Sequence, residues 1–344
     1  MKHNKLILLL GIGLLLSLGL QAPSAHAVSE TNYSDEMSKY AWPFYGSGQD
    51  GSFQGKAGIT IKYRKWENPH EIGAIVIFPG RGDPFFDFAE TIYDLAHKGY
   101  SIYTLDHRGQ GSSYRMLANP QLGYVKHFDD YIDDAKTFVD TVVKAVPHKK
   151  LFLLGHSMGG AIAATYLHTH PADFDAAVLA SPMFEINTAP YTSWEARILV
   201  WFELLVHRGK EYGPTQEDFN TNEVFENNRI TTSKVRWQTT HDMFLTYPVL
   251  QTGGATNRWI SESFKASDKI HDFADEIATP VLVISSGDDQ LVEEPNIDYF
   301  CQHAQHCTQV PAYAGAQHGI LWERDPIRDD VFARIFSFYG QFTQ

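Results

Sequence analysis

The chain has 344 residues, 43% of them hydrophobic and 13% aromatic, which suits one enlarged α/β domain and excludes a disordered protein. Its formal charge of −13 excludes electrostatic attraction to nucleic acid or anionic lipid surfaces. A lipid substrate would have to be held by apolar contacts.

The first predicted element is a secretory signal over residues 1–27. Lys2 and Lys5 precede an apolar run from Leu6 to Leu20, and Ala25-His26-Ala27 places small residues where a signal peptidase reads. An uncleaved anchor is the rival, but the run of 15 residues falls short of the ~20 needed to span a bilayer. Cleavage after Ala27 removes two lysines and no acids, moving the charge from −13 to −15. The mature protein is expected to be exported, periplasmic first and secreted second.

Residues 28–57, rich in Gly, Ser and aromatics, read as an irregular N-terminal arm. Residues 58–182 read as the first part of an α/β core. Strands are predicted at Ile59–Lys65, Gly73–Phe78, Ser101–Asp106, Leu151–Leu154 and Ala176–Ala180, with helices at Phe85–Lys98, Asp129–Val146 and Met158–His168. Nearly continuous Val, Ile, Leu and Phe in the central strands imply a mainly parallel sheet covered on both faces.

The alternation breaks over residues 183–274, which read as a helical cap inserted in the core. At the carboxyl ends of the strands such an insertion would cover the ligand crevice. Trp194, Ile198, Leu199, Trp201, Phe202 and Leu205 form a large apolar stripe on one of its helices. Packing of the cap onto the core is the expected use, with an acyl channel or membrane contact as rivals. Residues 275–344 return to the core, with strands at Val281–Ser285 and Thr308–Ala312 and helices at Asn296–Gln305 and Ile327–Phe342. Cys301 and Cys307, the only cysteines, would meet where helix Asn296–Gln305 gives way to strand Thr308–Ala312, so a disulfide is expected in an oxidising compartment.

The chemistry centres on Gly155-His156-Ser157-Met158-Gly159, a G-x-S-x-G turn between a buried strand and a helix of small residues. Such a nucleophile elbow strains the serine backbone and exposes its hydroxyl, while the helix N-terminus aims free N–H groups at the same place. Ser157 then needs a base and an orienting acid, in the order Ser, acid, His. Of sixteen histidines, His318 alone sits in a Gly-rich loop after the last predicted strand. Asp288 and Asp289 both follow the preceding strand, and periodicity does not choose between them. Main-chain N–H groups of Met158 and of Arg81, in Pro79-Gly80-Arg81, are the candidate oxyanion donors. The pairs His168/His170 and His303/His306 lack a third ligand and read as surface histidines, so no metal and no cofactor is expected.

Seven stretches carry a resemblance: "IFPGRGD", "YTLDHRGQGSS", "LLGHSMGG", "LASPMF", "TGGATNRWISES", "PVLVISSGDDQLV" and "GAQHGILWERD". With "NPQLGYVKHFDDYIDDAKTF" they span roughly residues 58–340. The chain resembles the α/β-hydrolases of the lysophospholipase and monoacylglycerol lipase branch, bacterial lysophospholipases above all. The resemblance implies an acid nine residues after the proline opening its strand. Counting from Pro280 selects Asp289, with Asp288 the runner-up. Where many relatives carry His-Gly in the oxyanion loop, this chain has Pro79-Gly80.

The expected function is therefore hydrolysis of single-chain lipid esters through an acyl-enzyme, a lysophospholipid first. Monoacylglycerol lipase and general carboxylesterase are the alternatives. A serine aminopeptidase would need acids in the cap, for which Glu185, Glu195, Glu203 and Glu262 are available in no recognisable arrangement. A non-catalytic binding protein on the same fold is the alternative from another class. Partners are a lipid ester and, through the cap, transient membrane contact, with no nucleic acid.

Overall fold

A computed structural model describes residues 28–343; the expected signal, residues 1–27, lies outside the described residues. Its sheet has eight strands: β1 (Gln49–Gln54), β2 (Thr60–Trp66), β3 (Gly73–Phe78), β4 (Tyr100–Leu105), β5 (Leu151–His156), β6 (Ala176–Ala180), β7 (Val281–Ile284) and β8 (Cys307–Gln309). Their spatial order is β1-β2-β4-β3-β5-β6-β7-β8, antiparallel at β1/β2 and β2/β4 and parallel from β4 to β8. Helices α1 (Ala89–His97), α2 (Asp129–Phe138), α3 (Met158–Thr169), α4 (Ser193–Leu205), α5 (Lys234–Thr246), α6 (Asn257–Phe273), α7 (Glu294–His303) and α8 (Asp325–Gly340) follow in chain order.

Side-chain alternation in the buried strands feeds two cores. Val76, Phe78, Leu153, Leu179 and Val283 point to one face, under α2, α3, α6 and α7. Ile75, Ile77, Leu154, Val178 and Leu282 point to the other, under α1 and α8. A strand buried on both faces needs both sets apolar, which is why β3, β5 and β6 read as unbroken hydrophobic runs.

Three expectations are corrected. Residues 28–57 are not irregular: residues 30–46 wind through short helical turns, and Gln49–Gln54 pairs with β2 as an edge strand. Tyr33, Met37 and Ala41 repeat every fourth residue, and they bury one face of that segment against Ala89 and Tyr93 of α1. The insertion ends earlier than residue 274. Helix α6 is a core element, with Trp259, Ala266, Ile270 and Phe273 packed in the same cluster as α3, and it lies in the crossover between the parallel strands β6 and β7. The insertion proper is residues 183–256. Finally, the stripe on α4 does not pack the cap onto the core. Trp194 and Trp201 are 63% and 62% exposed, with Ile198, Phe202 and Leu205 beside them in solvent, while Ala196 and Val200 form the buried side.

Cap and core are tied by charge. Arg236 of α5 is buried and donates to Glu90 of α1 at 2.9 and 3.0 Å, to Asp325 at the start of α8 at 2.8 Å, and to the Glu323 carbonyl at 2.9 Å. Removing one partner of a buried ion pair leaves the other charge desolvated and uncompensated. Arg236→Met is therefore expected to cost about 3 kcal/mol of stability. Urea unfolding checks this, and an unchanged midpoint would show the cluster to be energetically idle.

Cys301 and Cys307 are joined by a disulfide with Cα atoms 5.2 Å apart, linking the last turn of α7 to β8. Among the described residues no helix is long and apolar enough to cross a membrane.

Candidate active site

Strand β5 ends at His156, and Ser157 turns the chain directly into α3 with φ 53° and ψ −120°, a conformation that L-residues rarely hold. The turn is possible because Gly155 and Gly159 flank it. A Cβ on Gly159 would lie 1.8 Å from the Phe78 carbonyl oxygen, and one on Gly155 would lie 2.6 Å from the Gly159 carbonyl oxygen. The Ser157 N–H donates to the Ala180 carbonyl at 3.0 Å, and its own carbonyl accepts from the Met183 N–H at 2.9 Å. The elbow is thus bonded on both sides, to β6 and to the first residue of the cap.

His318 and Asp289 arrive on the loops after β8 and β7. His318 Nε2 lies 2.8 Å from Ser157 Oγ, and Nδ1 lies 2.7 Å from Asp289 Oδ2. The other oxygen of Asp289 accepts from the Leu291 and Val292 N–H groups at 2.8 and 3.1 Å. Burial raises the Asp289 pKa, but the His318 hydrogen bond, its charge and those two N–H groups outweigh it and hold the carboxyl below its ordinary range. Asp288 is exposed, and its side chain makes no hydrogen bond among the described residues. The structure brings together Ser157, His318 and Asp289 and leaves Asp288 aside. The His318 loop is steadied from the cap, since the Gly319 N–H donates to the Ile230 carbonyl at 2.6 Å.

Loop 79–83 lies against the elbow: a Cβ on Gly80 would be 3.0 Å from the Ser157 Cβ. The Gly80 N–H is taken by Asp83 and the Gly82 N–H by Gln110, at 3.2 and 3.1 Å. The N–H groups of Arg81 and Met158 donate to no acceptor among the described residues. Two main-chain donors without an acceptor are thus found at the elbow and in the loop packed against it. The Arg81 side chain is half-buried. It lines the same cavity of about 220 Å³ as Ser157 and His318.

Some supporting residues were not singled out in the sequence. His156 packs beside His318, ring centroids 5.2 Å apart, and its Nδ1 is 2.9 Å from Asp83 Oδ2. Gln110 donates to the Gly80 carbonyl at 2.7 Å, bracing the oxyanion loop from the Asp106–Ser112 turn. Gln110 stands inside a glycine-rich turn, which was the available signal. Within that turn, burial pushes the His107 pKa down to about 3, so its imidazole stays neutral.

The four acids considered for an amine site are already engaged. Glu185 accepts from Ser193 and Asn296, Glu195 caps α4 at Thr192, Glu203 pairs with Arg208, and Glu262 pairs with Lys265. None lines the Ser157 cavity. Among the described residues no group of three or more His, Cys, Asp and Glu is arranged to hold a metal.

A mostly parallel sheet, with a strand–serine–helix elbow at the carboxyl end of a central strand, defines an α/β-hydrolase. Residues 69–325 match the family described as "Serine aminopeptidase, S33", and the chain belongs to that family. Lysophospholipase L2 of Escherichia coli strain K12 is 32% identical over 304 residues, covering 87% of this chain and 89% of the relative. Monoglyceride lipase of Homo sapiens is 24% identical over 275 residues, covering 78% and 82%. A thermostable carboxyl esterase from Bacillus coagulans shares the fold with a TM-score of 0.69 at 19% identity, covering 86% of this chain and 99% of the esterase. A monoglyceride lipase from Saccharomyces cerevisiae does so with a TM-score of 0.66, also at 19% identity, covering 86% and 95%.

Proposed function

We propose that the chain is an exported lysophospholipase that works through a Ser157 acyl-enzyme. It is a carboxylic ester hydrolase acting on lipid esters, in keeping with relatives named lysophospholipase, monoglyceride lipase and carboxyl esterase. The observation that carries the mechanism is the unbroken Asp289–His318–Ser157 hydrogen-bond chain beside two free main-chain donors. His318 Nε2 takes the Ser157 proton as Oγ attacks the ester carbonyl. Asp289 fixes the imidazole with its proton on Nδ1 and stabilises the imidazolium. The Arg81 and Met158 N–H groups hold the oxyanion. His318 then protonates the leaving glycerol oxygen, and a water, deprotonated by the same nitrogen, releases the fatty acid.

The preference for a lysophospholipid over a monoacylglycerol or a general ester is supported by the relative that is 32% identical along most of its length. None of the four engaged acids lines the Ser157 cavity, and its one lining carboxylate, Asp83, is held by His156 and the Gly80 N–H, which disfavours the aminopeptidase reading despite the family's name. The exposed aromatic face of α4 rests on a lipid aggregate while the opposite face of the helix lines the cavity. Export fits the signal over residues 1–27 and a disulfide in the mature chain.

Purified protein is assayed on lysophosphatidylcholine, monoacylglycerol and short nitrophenyl esters, each below and above its aggregation threshold. The expected result is the highest kcat/KM on the lysophospholipid, with a jump in rate once aggregates form. Equal or better turnover of monoacylglycerol would overturn the lysophospholipase assignment. N-terminal sequencing of the exported protein should begin at Val28; a retained Met1 would refute cleavage.

A further inference from the structure

Three arginines of this chain are buried, and all three are neutralised by carboxylates. Arg108 meets Asp130 and Asp134, Arg236 meets Glu90 and Asp325, and Arg328 meets Glu90 and Asp94. Arg81, half-buried where it lines the Ser157 cavity, has no carboxylate within ion-pair distance among the described residues. Its Nη1 donates to the Gly253 carbonyl at 2.8 Å and its guanidinium carbon lies 5.3 Å from the Trp259 ring. The remaining guanidinium N–H groups have no acceptor among the described residues. Asp83, the nearest acid in sequence, is held by His156 and the Gly80 N–H. Arg115, also without a carboxylate, differs in having its donors taken by the Gly111, Pro120 and Gln251 carbonyls and by Thr252.

Free donors on a charge partly withdrawn from water favour an acceptor of opposite charge, and Asp83, which lines the same cavity, already accepts from the Gly80 N–H and meets His156. Because Arg81 lines the Ser157 cavity, the substrate is the natural source. We propose that the Arg81 guanidinium binds the phosphate of the lysophospholipid and so sets the preference for phosphorylated over neutral glycerol esters. This rests on the lysophospholipase reading above. The planar fork of donors suits two phosphate oxygens at once.

Covalent spacing agrees. As many bonds separate the ester carbonyl carbon from phosphorus, through the glycerol, as separate the Arg81 main-chain nitrogen from its guanidinium carbon. With the carbonyl oxygen on the Arg81 N–H, the phosphate comes level with the Arg81 side chain. Arg81 also lines a second cavity, of about 190 Å³, which leaves space for a headgroup beyond the phosphate. The two halves of one residue thus divide the work. Its main chain holds the oxyanion, and its side chain reads the leaving group.

The test uses Arg81→Met and Arg81→Lys, both of which keep the main-chain donor. Kinetics are compared on lysophosphatidylcholine and on monoacylglycerol of the same acyl chain. In Arg81→Met the kcat/KM ratio of the first substrate to the second should fall at least tenfold, chiefly through KM of the lysophospholipid. Arg81→Lys should recover part of it. Glycerophosphocholine, which has the phosphate and no carboxylic ester, is titrated as a competitive inhibitor of nitrophenyl butyrate hydrolysis. Its inhibition constant should rise by a similar factor in Arg81→Met. An equal loss on both substrates, or an unchanged ratio and inhibition constant, would overturn the proposal by reducing Arg81 to support for the loop. Wild-type protein that is inhibited through Arg81 yet hydrolyses no lysophospholipid would uphold the phosphate site while refuting the lysophospholipase reading.

Discussion

Ser157→Ala should lower kcat on every ester about 10⁵-fold while leaving the unfolding midpoint where it was. The Oγ is the only nucleophilic atom bonded to His318 Nε2, so its loss removes the covalent step altogether. Stability should not change, because alanine retains the Cβ that serine already places at φ 53°. Whatever strain the elbow holds is the same in both proteins. The substitution also leaves the His318–Asp289 pair and both free N–H donors in place, so the substrate still binds. A fluorophosphonate probe should label wild type stoichiometrically and the variant not at all. Turnover within a hundredfold of wild type, or labelling that persists, would remove Ser157 from the mechanism.

Gly159→Ala should be at least as damaging, by a different route. The added methyl would stand 1.8 Å from the Phe78 carbonyl oxygen and 2.6 Å from that of Pro79. Both are main-chain atoms, so no rotamer change relieves the contact. Either α3 moves away from β3 or loop 79–83 is displaced, and the second response separates the Arg81 donor from the Met158 donor. The expected cost exceeds about 3 kcal/mol, at the upper end for overpacking. The variant should be poorly soluble, and any soluble fraction should label weakly with the fluorophosphonate. A well-folded, fully active Gly159→Ala protein would mean that the elbow is looser than its close contacts indicate.

Strands β3 and β6 could be located to the residue because burial on both faces leaves no polar interruption. Edge strand β1 could not, since Gln49–Gln54 is polar and holds a glycine, and it becomes a strand only by pairing with β2. Helix α6 reads as part of the cap because no strand separates it from the insertion, although Trp259, Ala266, Ile270 and Phe273 carry a core-facing helical spacing. Ser157 and His318 were legible from the order of loops. Periodicity did not choose the acid, because Asp288 and Asp289 differ only in which way the main chain turns, and the choice of Asp289 rested on the resemblance. The turn is decided by Leu291 and Val292, whose N–H groups grip Asp289. The surroundings of Arg81 were out of reach, since Gly253 and Trp259 lie far along the chain and meet it only in the folded protein.

The insertion leaves the core at Met183, bonded to the Ser157 carbonyl, and returns at Thr256, whose side chain caps α6. Both ends are therefore nailed to rigid elements, and everything between them is, in polymer terms, a closed loop. Loop-closure entropy grows only logarithmically, by about 0.6 kcal/mol for each doubling of length. Residues 183–256 can thus be lengthened, shortened or exchanged across evolutionary time at small thermodynamic cost to the sheet. A single hydrolytic core can in this way be fitted to many lipids by resizing one segment, with the reacting atoms left where they are.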